Sequence, residues 1–122
     1  NMGQTIIDNS FNSNPISCTA SLDTLQNIET DGMKYLITPG MVELGSEQFI
    51  YNYEFAYNAS EVIDEALIVG FTNKGPLMLA FEDNDIPVKY FKNRDLAVSY
   101  LNSVVNDNDV VLFENDLPDH HP

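Results

Sequence analysis

The chain has no tryptophan, one cysteine and only five lysines and arginines in 122 residues. Each shortage excludes something. A lone Cys18 rules out an internal disulfide, so the core must hold the fold, and the chain reads as cytoplasmic. Five basic residues against 19 acidic ones leave a formal net charge of -14. That surface repels nucleic acid backbones and anionic membranes, which argues against nucleic acid as a partner. No apolar run approaches the ~20 residues of a membrane span, and the opening residues do not read as a signal peptide. Asn1 ahead of Met2 reads as the edge of a piece excised from a longer chain.

Several chemistries are missing too. No Gly-x-x-x-x-Gly-Lys-Ser/Thr loop is present to cradle a triphosphate, and Gly40 to Gly45 does not spell Gly-x-Gly-x-x-Gly. There is no Gly-x-Ser-x-Gly elbow. The two histidines, His120 and His121, stand together at the chain end, a poor place for a zinc site or a catalytic base. Asp8 and Asp31 suggest a phospho-acceptor receiver, but no lysine ends the last strand to pair with a phosphate.

What remains is a foldable single domain over residues 1–122, with 43% hydrophobic residues and Phe and Tyr as the bulky core formers. Thr5-Ile6-Ile7 reads as a strand that stops at Asp8-Asn9. Asn14-Pro15 then opens a helix, Asn as cap and Pro at the first position. Cys18, Leu22, Leu25 and Ile28 give that helix an apolar stripe. Further strands are expected at Met33 to Thr38, Ala66 to Gly70, Val88 to Phe91 and Val110 to Phe113. Helices are expected after Ser46 (inward face Phe49, Tyr53, Ala56 and Tyr57), over Leu77 to Glu82, and after an Asn93 cap (stripe Ala97, Leu101, Val104 or Val105). Strand-helix alternation predicts a three-layer, Rossmann-like α/β fold with a mostly parallel sheet of about five strands. The expected strand order is 3-2-1-4-5; separately, the short and wholly apolar Ala66 strand reads as central.

In such a sheet the strand carboxyl ends share one edge, where ligands sit. That edge would collect Asp8-Asn9, Thr38 to Gly45, Gly70 to Gly75, Phe91 to Asn93 and Glu114 to Asp116. It is rich in Asn and carboxylates, with Lys74, Lys92 and Arg94 as its positive groups.

Three stretches carry a family resemblance. Ile7 to Ser17, IDNSFNSNPIS, resembles the Asp-Asp-Ser/Thr-Tyr-Asn-x-Asn-Pro-x-Ser opening of the Mur ligase C-terminal domain. Thr38 to Gly45, TPGMVELG, is similar to its Gly-Asp-Met-x-Glu-Leu-Gly loop. Val110 to Asp119, VVLFENDLPD, is similar to the ending of one subgroup. Within these ligases the chain resembles the UDP-N-acetylmuramoyl-tripeptide–D-alanyl-D-alanine ligase branch.

The resemblance implies one domain of a three-domain enzyme of peptidoglycan precursor synthesis. Its N-terminal domain would bind a UDP-linked muramoyl peptide, and its central domain would carry the phosphate loop. The C-terminal domain would close over ATP and Mg²⁺ and help hold an incoming amino acid or dipeptide. The precursor carboxylate is activated as an acyl phosphate, which the incoming amine attacks. By the same resemblance Asn9 takes the ribose-contacting position, with Phe11, Asn12 and Asn14 on the nucleotide side. Glu43, Asn52 and Asn115 would face the substrate; no catalytic residue and no metal ligand is implied in this domain.

The departures are specific. Asn9 replaces an Asp, Phe11 a Tyr, Asn52 a His, and Glu114-Asn115-Asp116 a Lys-Gly-Ser ending. They keep open a non-catalytic binding or scaffold module, and a flavodoxin- or receiver-like module. The ligase reading predicts a native chain of roughly three domains. An intact native mass well above the 13.7 kDa of these residues fits it; a mass no larger excludes ligation by this chain alone.

Overall fold

The computed structural model describes residues 3–9 and 14–115. Phe11, Asn12, Asp116 and the histidine pair lie outside the described residues. Five strands, β1 (Thr5–Asn9), β2 (Lys34–Thr38), β3 (Glu65–Val69), β4 (Val88–Phe91) and β5 (Val110–Glu114), alternate with four helices. These are α1 (Pro15–Asn27), α2 (Gln48–Ala59), α3 (Lys74–Asp83) and α4 (Arg94–Val104). Every strand pair is parallel. The result is a Rossmann-like α/β sheet covered on both faces.

The strand order is β1-β5-β2-β3-β4, which corrects the expected 3-2-1-4-5. The last strand inserts between the first and second, and β2 rather than β3 takes the middle. Burial explains the arrangement. β5 (VVLFE) is buried at four of its five positions and needs a neighbour on each side, whereas β1 leaves Ile6 56% exposed and suits an edge. The chain steps from β1 to β2, β3 and β4 with α1, α2 and α3 on one face. It then returns to β5 with α4 on the other, as right-handed crossovers require.

The larger core joins Cys18, Leu22 and Leu25 of α1, Phe55, Ala56 and Ala59 of α2 and Leu77, Ala80 and Phe81 of α3 to Leu36, Ala66, Ile68 and Leu112 of the sheet. The smaller sets Ala97 and Leu101 of α4 on Tyr35, Ile37, Leu67 and Val111. Both capping expectations based on Asn-first helices are met. Asn14 Oδ1 accepts from Ser17 N at 2.9 Å, and Asn93 Oδ1 from Leu96 N at 3.0 Å.

Other expectations need correction. α2 buries Asn52, Phe55, Ala56 and Ala59, while Phe49 and Tyr57 are exposed. Its rotation is set by Asn52, whose amide is needed inside. Ser46 does not cap it; a 3-10 turn, Gly45–Glu47, leads in with no side-chain cap. α3 begins three residues before the expected Leu77, because Pro76 is tolerated within the first turn.

Ile68 has no exposed surface and lies in an interior strand between β2 and β4. Ile68→Asp buries a lone charge at a cost of several kcal/mol, and the expected outcome is loss of the folded circular dichroism spectrum. A cooperatively folding Ile68→Asp chain would contradict this strand placement.

Candidate functional site

The described parts of the three motif stretches meet at the carboxyl edge of the sheet, where their polar groups form a continuous seam. At one end, Asn9 and Glu114 are register partners on β1 and β5. Asn9 Nδ2 donates to Glu114 Oε2 at 2.8 Å and lies 2.5 Å from Ser21 Oγ and 3.4 Å from the Ser17 carbonyl. The Cys18 thiol donates to the same Oε2 at 3.3 Å. Strand β1, helix α1 and strand β5 thus converge on one carboxylate with no exposed surface.

Burial pushes the Glu114 carboxyl above its ordinary 4.5, opposed by hydrogen bonds from Ser21, Asn9 and Cys18. Burial, and then Glu114 itself, pushes the Cys18 thiol up. A protonated, enclosed thiol is a hydrogen-bond donor and not a nucleophile. That agrees with its expected core position.

Asn115 carries the seam onward. Its backbone takes φ 60°, and its Nδ2 lies 3.6 Å from Cys18 Sγ and donates to the Gly40 carbonyl at 3.3 Å. Beyond Gly40 the loop after β2 is held by three amides. Asn52 Oδ1 accepts from Met41 N at 2.8 Å, and its Nδ2 donates to Met41 O at 3.0 Å and Gln48 O at 2.8 Å. Asn73 Nδ2 donates to the Pro39 and Met41 carbonyls at 3.0 and 2.9 Å. Gln48 Nε2 donates to Met41 O and Asn73 Oδ1, and its Oε1 accepts from Leu44 N.

Gly40 is required here. It sits at φ 84°, and a Cβ would come within 2.6 Å of Asn52 Oδ1 and 2.8 Å of Asn73 Nδ2. Asn73, expected to set up α3, gives that helix no side-chain cap because its amide is turned to this loop.

Asn9, Asn115 and Asn52 are therefore joined through one seam, with Asn52 fully buried at its far end. Asn14 stands apart as the α1 cap, and Glu43 is exposed at φ 63° on the clamped loop. Ser21, Gln48, Asn73 and Glu114 complete the seam. Amides and a carboxylate inside apolar helix and strand patterns were the available signal for them.

Among the described residues there is no group of three His, Cys, Asp or Glu side chains placed to hold a metal, and no helix long and apolar enough to cross a membrane. A cleft of about 110 Å³ between α1 and α2, lined by Cys18, Met41 and Phe55, is smaller than the roughly 300 Å³ at which ligand pockets begin.

No family model matches the chain, and no curated protein matches it. Solved structures do. A MurF ligase from Thermotoga maritima in complex with ADP matches with a TM-score of 0.72 at 20% identity, over 94% of this chain and 25% of that one. A domain assigned to a UDP-N-acetylmuramate:L-alanyl-γ-D-glutamyl-meso-diaminopimelate ligase from Haemophilus ducreyi matches with a TM-score of 0.64 at 16% identity, over 93% of this chain and 80% of that one. The fold is thus similar to that of Mur-ligase-type proteins, and the chain spans about a quarter of the Thermotoga ligase.

The seam makes a testable demand on residue 9. Asn9→Asp sets two carboxylates against each other where an amide now donates at 2.8 Å, at a cost of about 1–3 kcal/mol near neutral pH. Because Glu114 is raised in the folded state, its contribution to stability is full below the ordinary 4.5 and is lost as pH rises through the raised value. Urea unfolding should therefore show the Asn9→Asp penalty shrinking toward acid pH and largely recovered by adding Glu114→Gln. An Asn9→Asp chain as stable as the parent at neutral pH would mean the bond is absent.

Proposed function

We propose that the chain is the C-terminal domain of a Mur-type ATP-dependent amide ligase of the UDP-N-acetylmuramoyl-tripeptide–D-alanyl-D-alanine ligase kind. In this reading it closes over ATP and helps position the incoming amino acid or dipeptide. One observation carries the reading: the three stretches that resemble the family's motifs lie far apart in sequence yet meet on one sheet edge, in a fold similar to that of the Thermotoga ligase.

The residues bear on ATP in a limited way. Among the described residues there is no phosphate-cradling glycine loop and no metal-ligating cluster, so the phosphates and Mg²⁺ would be held by the central domain. Bound ATP would supply the phosphoryl group that activates a carboxylate for attack by an amine. This chain would flank the nucleotide with Asn9, Phe11, Asn12 and Asn14. Asn9 has its amide donors directed into the seam, so a bond to a ribose hydroxyl would compete with Glu114 and Ser21. Glu43 would reach the cleft from its clamped loop; Asn52 and Asn115 would act on substrate through the loop they hold. That inward commitment of Asn9 also favours a second reading, a Mur-ligase-like binding or scaffold module without ligation.

ATP-dependent amide formation by the full-length protein, assayed with candidate amino acids and dipeptides, separates the two. Within an active enzyme, Asn9→Ala should raise KM for ATP more than Ser21→Ala, which loosens the same seam from the α1 side. An unchanged KM would remove the ribose contact from Asn9, and equal effects would make Asn9 a positioning residue.

A further inference from the structure

The chain's few cations are not spread evenly. Four of the five, Lys74, Lys89, Lys92 and Arg94, fall within twenty-one residues that run from the start of α3 to the start of α4. This is also where the sheet's connections change sides: β3 leads to α3 on one face, and its neighbour β4 leads to α4 on the other. Such a switch point leaves a crevice at the carboxyl edge, the place where open α/β sheets take ligands.

The side chains there are arranged for a ligand of one kind. Phe71, on the loop after β3, is 73% exposed, and its ring centroid lies 5.3 Å from that of Tyr90 on β4. Lys74 Nζ is held 4.2 Å from the Tyr90 ring and 5.9 Å from Phe71, which fixes a cation beside an open aromatic face. The Tyr90 hydroxyl is buried and has no hydrogen-bond partner among the described residues. Lys92 stands exposed just past the end of β4, two residues after Tyr90.

Among the described residues neither Lys74 nor Lys92 is paired with a carboxylate, in a chain that carries 19. The remaining two cations are placed differently: Lys89 Nζ lies 5.5 Å over Tyr100, and Arg94 lies 5.3 Å over Phe113. A Cβ added at Gly70 or Gly75 would meet nothing within 4 Å, so the loop is open to an incoming group.

The geometry points to an anion subsite at the β3–β4 crevice. Lys74 and Lys92 take a carboxylate or phosphate group, and the Phe71 ring covers an adjoining apolar or planar part of the same ligand. The site adjoins the Asn73 end of the seam and uses none of its side chains. It does not rest on the ligase reading, since anion binding and amide formation are separate readouts.

Amide NMR of the chain, titrated at constant chloride with ADP and separately with D-alanyl-D-alanine, tests it. Saturable shifts at Gly70, Phe71, Lys74 and Lys92 with either probe support the subsite. A response to ADP alone assigns it to phosphate, and a response to the dipeptide alone assigns it to carboxylate. Lys74→Met combined with Lys92→Met should weaken that binding by about tenfold or more, whereas Lys89→Met should leave it unchanged. Lys92 is exposed and Lys74 half-buried, so matching circular dichroism spectra keep the comparison sound. No shift with either probe, or equal loss in the Lys89 variant, overturns the proposal; the latter would make the binding a bulk charge effect.

Discussion

The fold turns on one buried carboxylate. Glu114 ends β5 with no exposed surface, and its donors come from elsewhere, Asn9 from β1 and Ser21 and Cys18 from α1, while its Oε1 has no hydrogen-bond partner among the described residues. A neutral intramolecular hydrogen bond contributes about 1 kcal/mol, but a buried polar group left without its partner costs about 1–3 kcal/mol. The bonds therefore matter less as separate attractions than as a joint condition. β1 and α1 have to close on β5 together. The same condition extends through Asn115 to Gly40, and through Asn52, Asn73 and Gln48 to the loop after β2.

This constraint unites two departures from the resembled family. Taken along the sequence, an amide at position 9 and an acid at position 114 are independent changes. In the structure they are cross-strand partners 2.8 Å apart. An amide opposite an acid is a self-consistent pair, while an acid opposite an acid is not. The Asn9 amide at the carboxyl end of β1 is thereby directed inward, and the lysines without a carboxylate partner among the described residues, Lys74 and Lys92, follow β3 and β4.

A chain of net charge -14 would ordinarily be expected to pair its few cations with carboxylates. Among the described residues aromatic rings hold two lysines instead, Tyr90 beneath Lys74 and Tyr100 beneath Lys89, and Arg94 also lies over Phe113 of β5. A ring positions a cation without neutralising it. The carboxyl edge thus carries amides and acids where β1 and β5 end and Lys74 where β3 and β4 end.

Local signals were legible in the sequence wherever a residue's own geometry decides the outcome. Asn14 and Asn93 cap helices because a short amide reaches the first-turn N–H groups, and strand-helix alternation requires parallel strands with crossovers. The Ala97 and Leu101 stripe was readable because apolar burial leaves a helical period. Strand order was not readable, since it depends on which strand needs neighbours on both sides. The rotation of α2 was hidden as well: apolar periodicity favours Phe49 and Tyr57, but a loop carbonyl and N–H require Asn52 inside. The sequence by itself determined the elements, their alternation and the edge on which the motifs fall. Only the tertiary structure decided where β5 inserts and which amides face inward, because a buried polar group takes its place from partners distant in the chain.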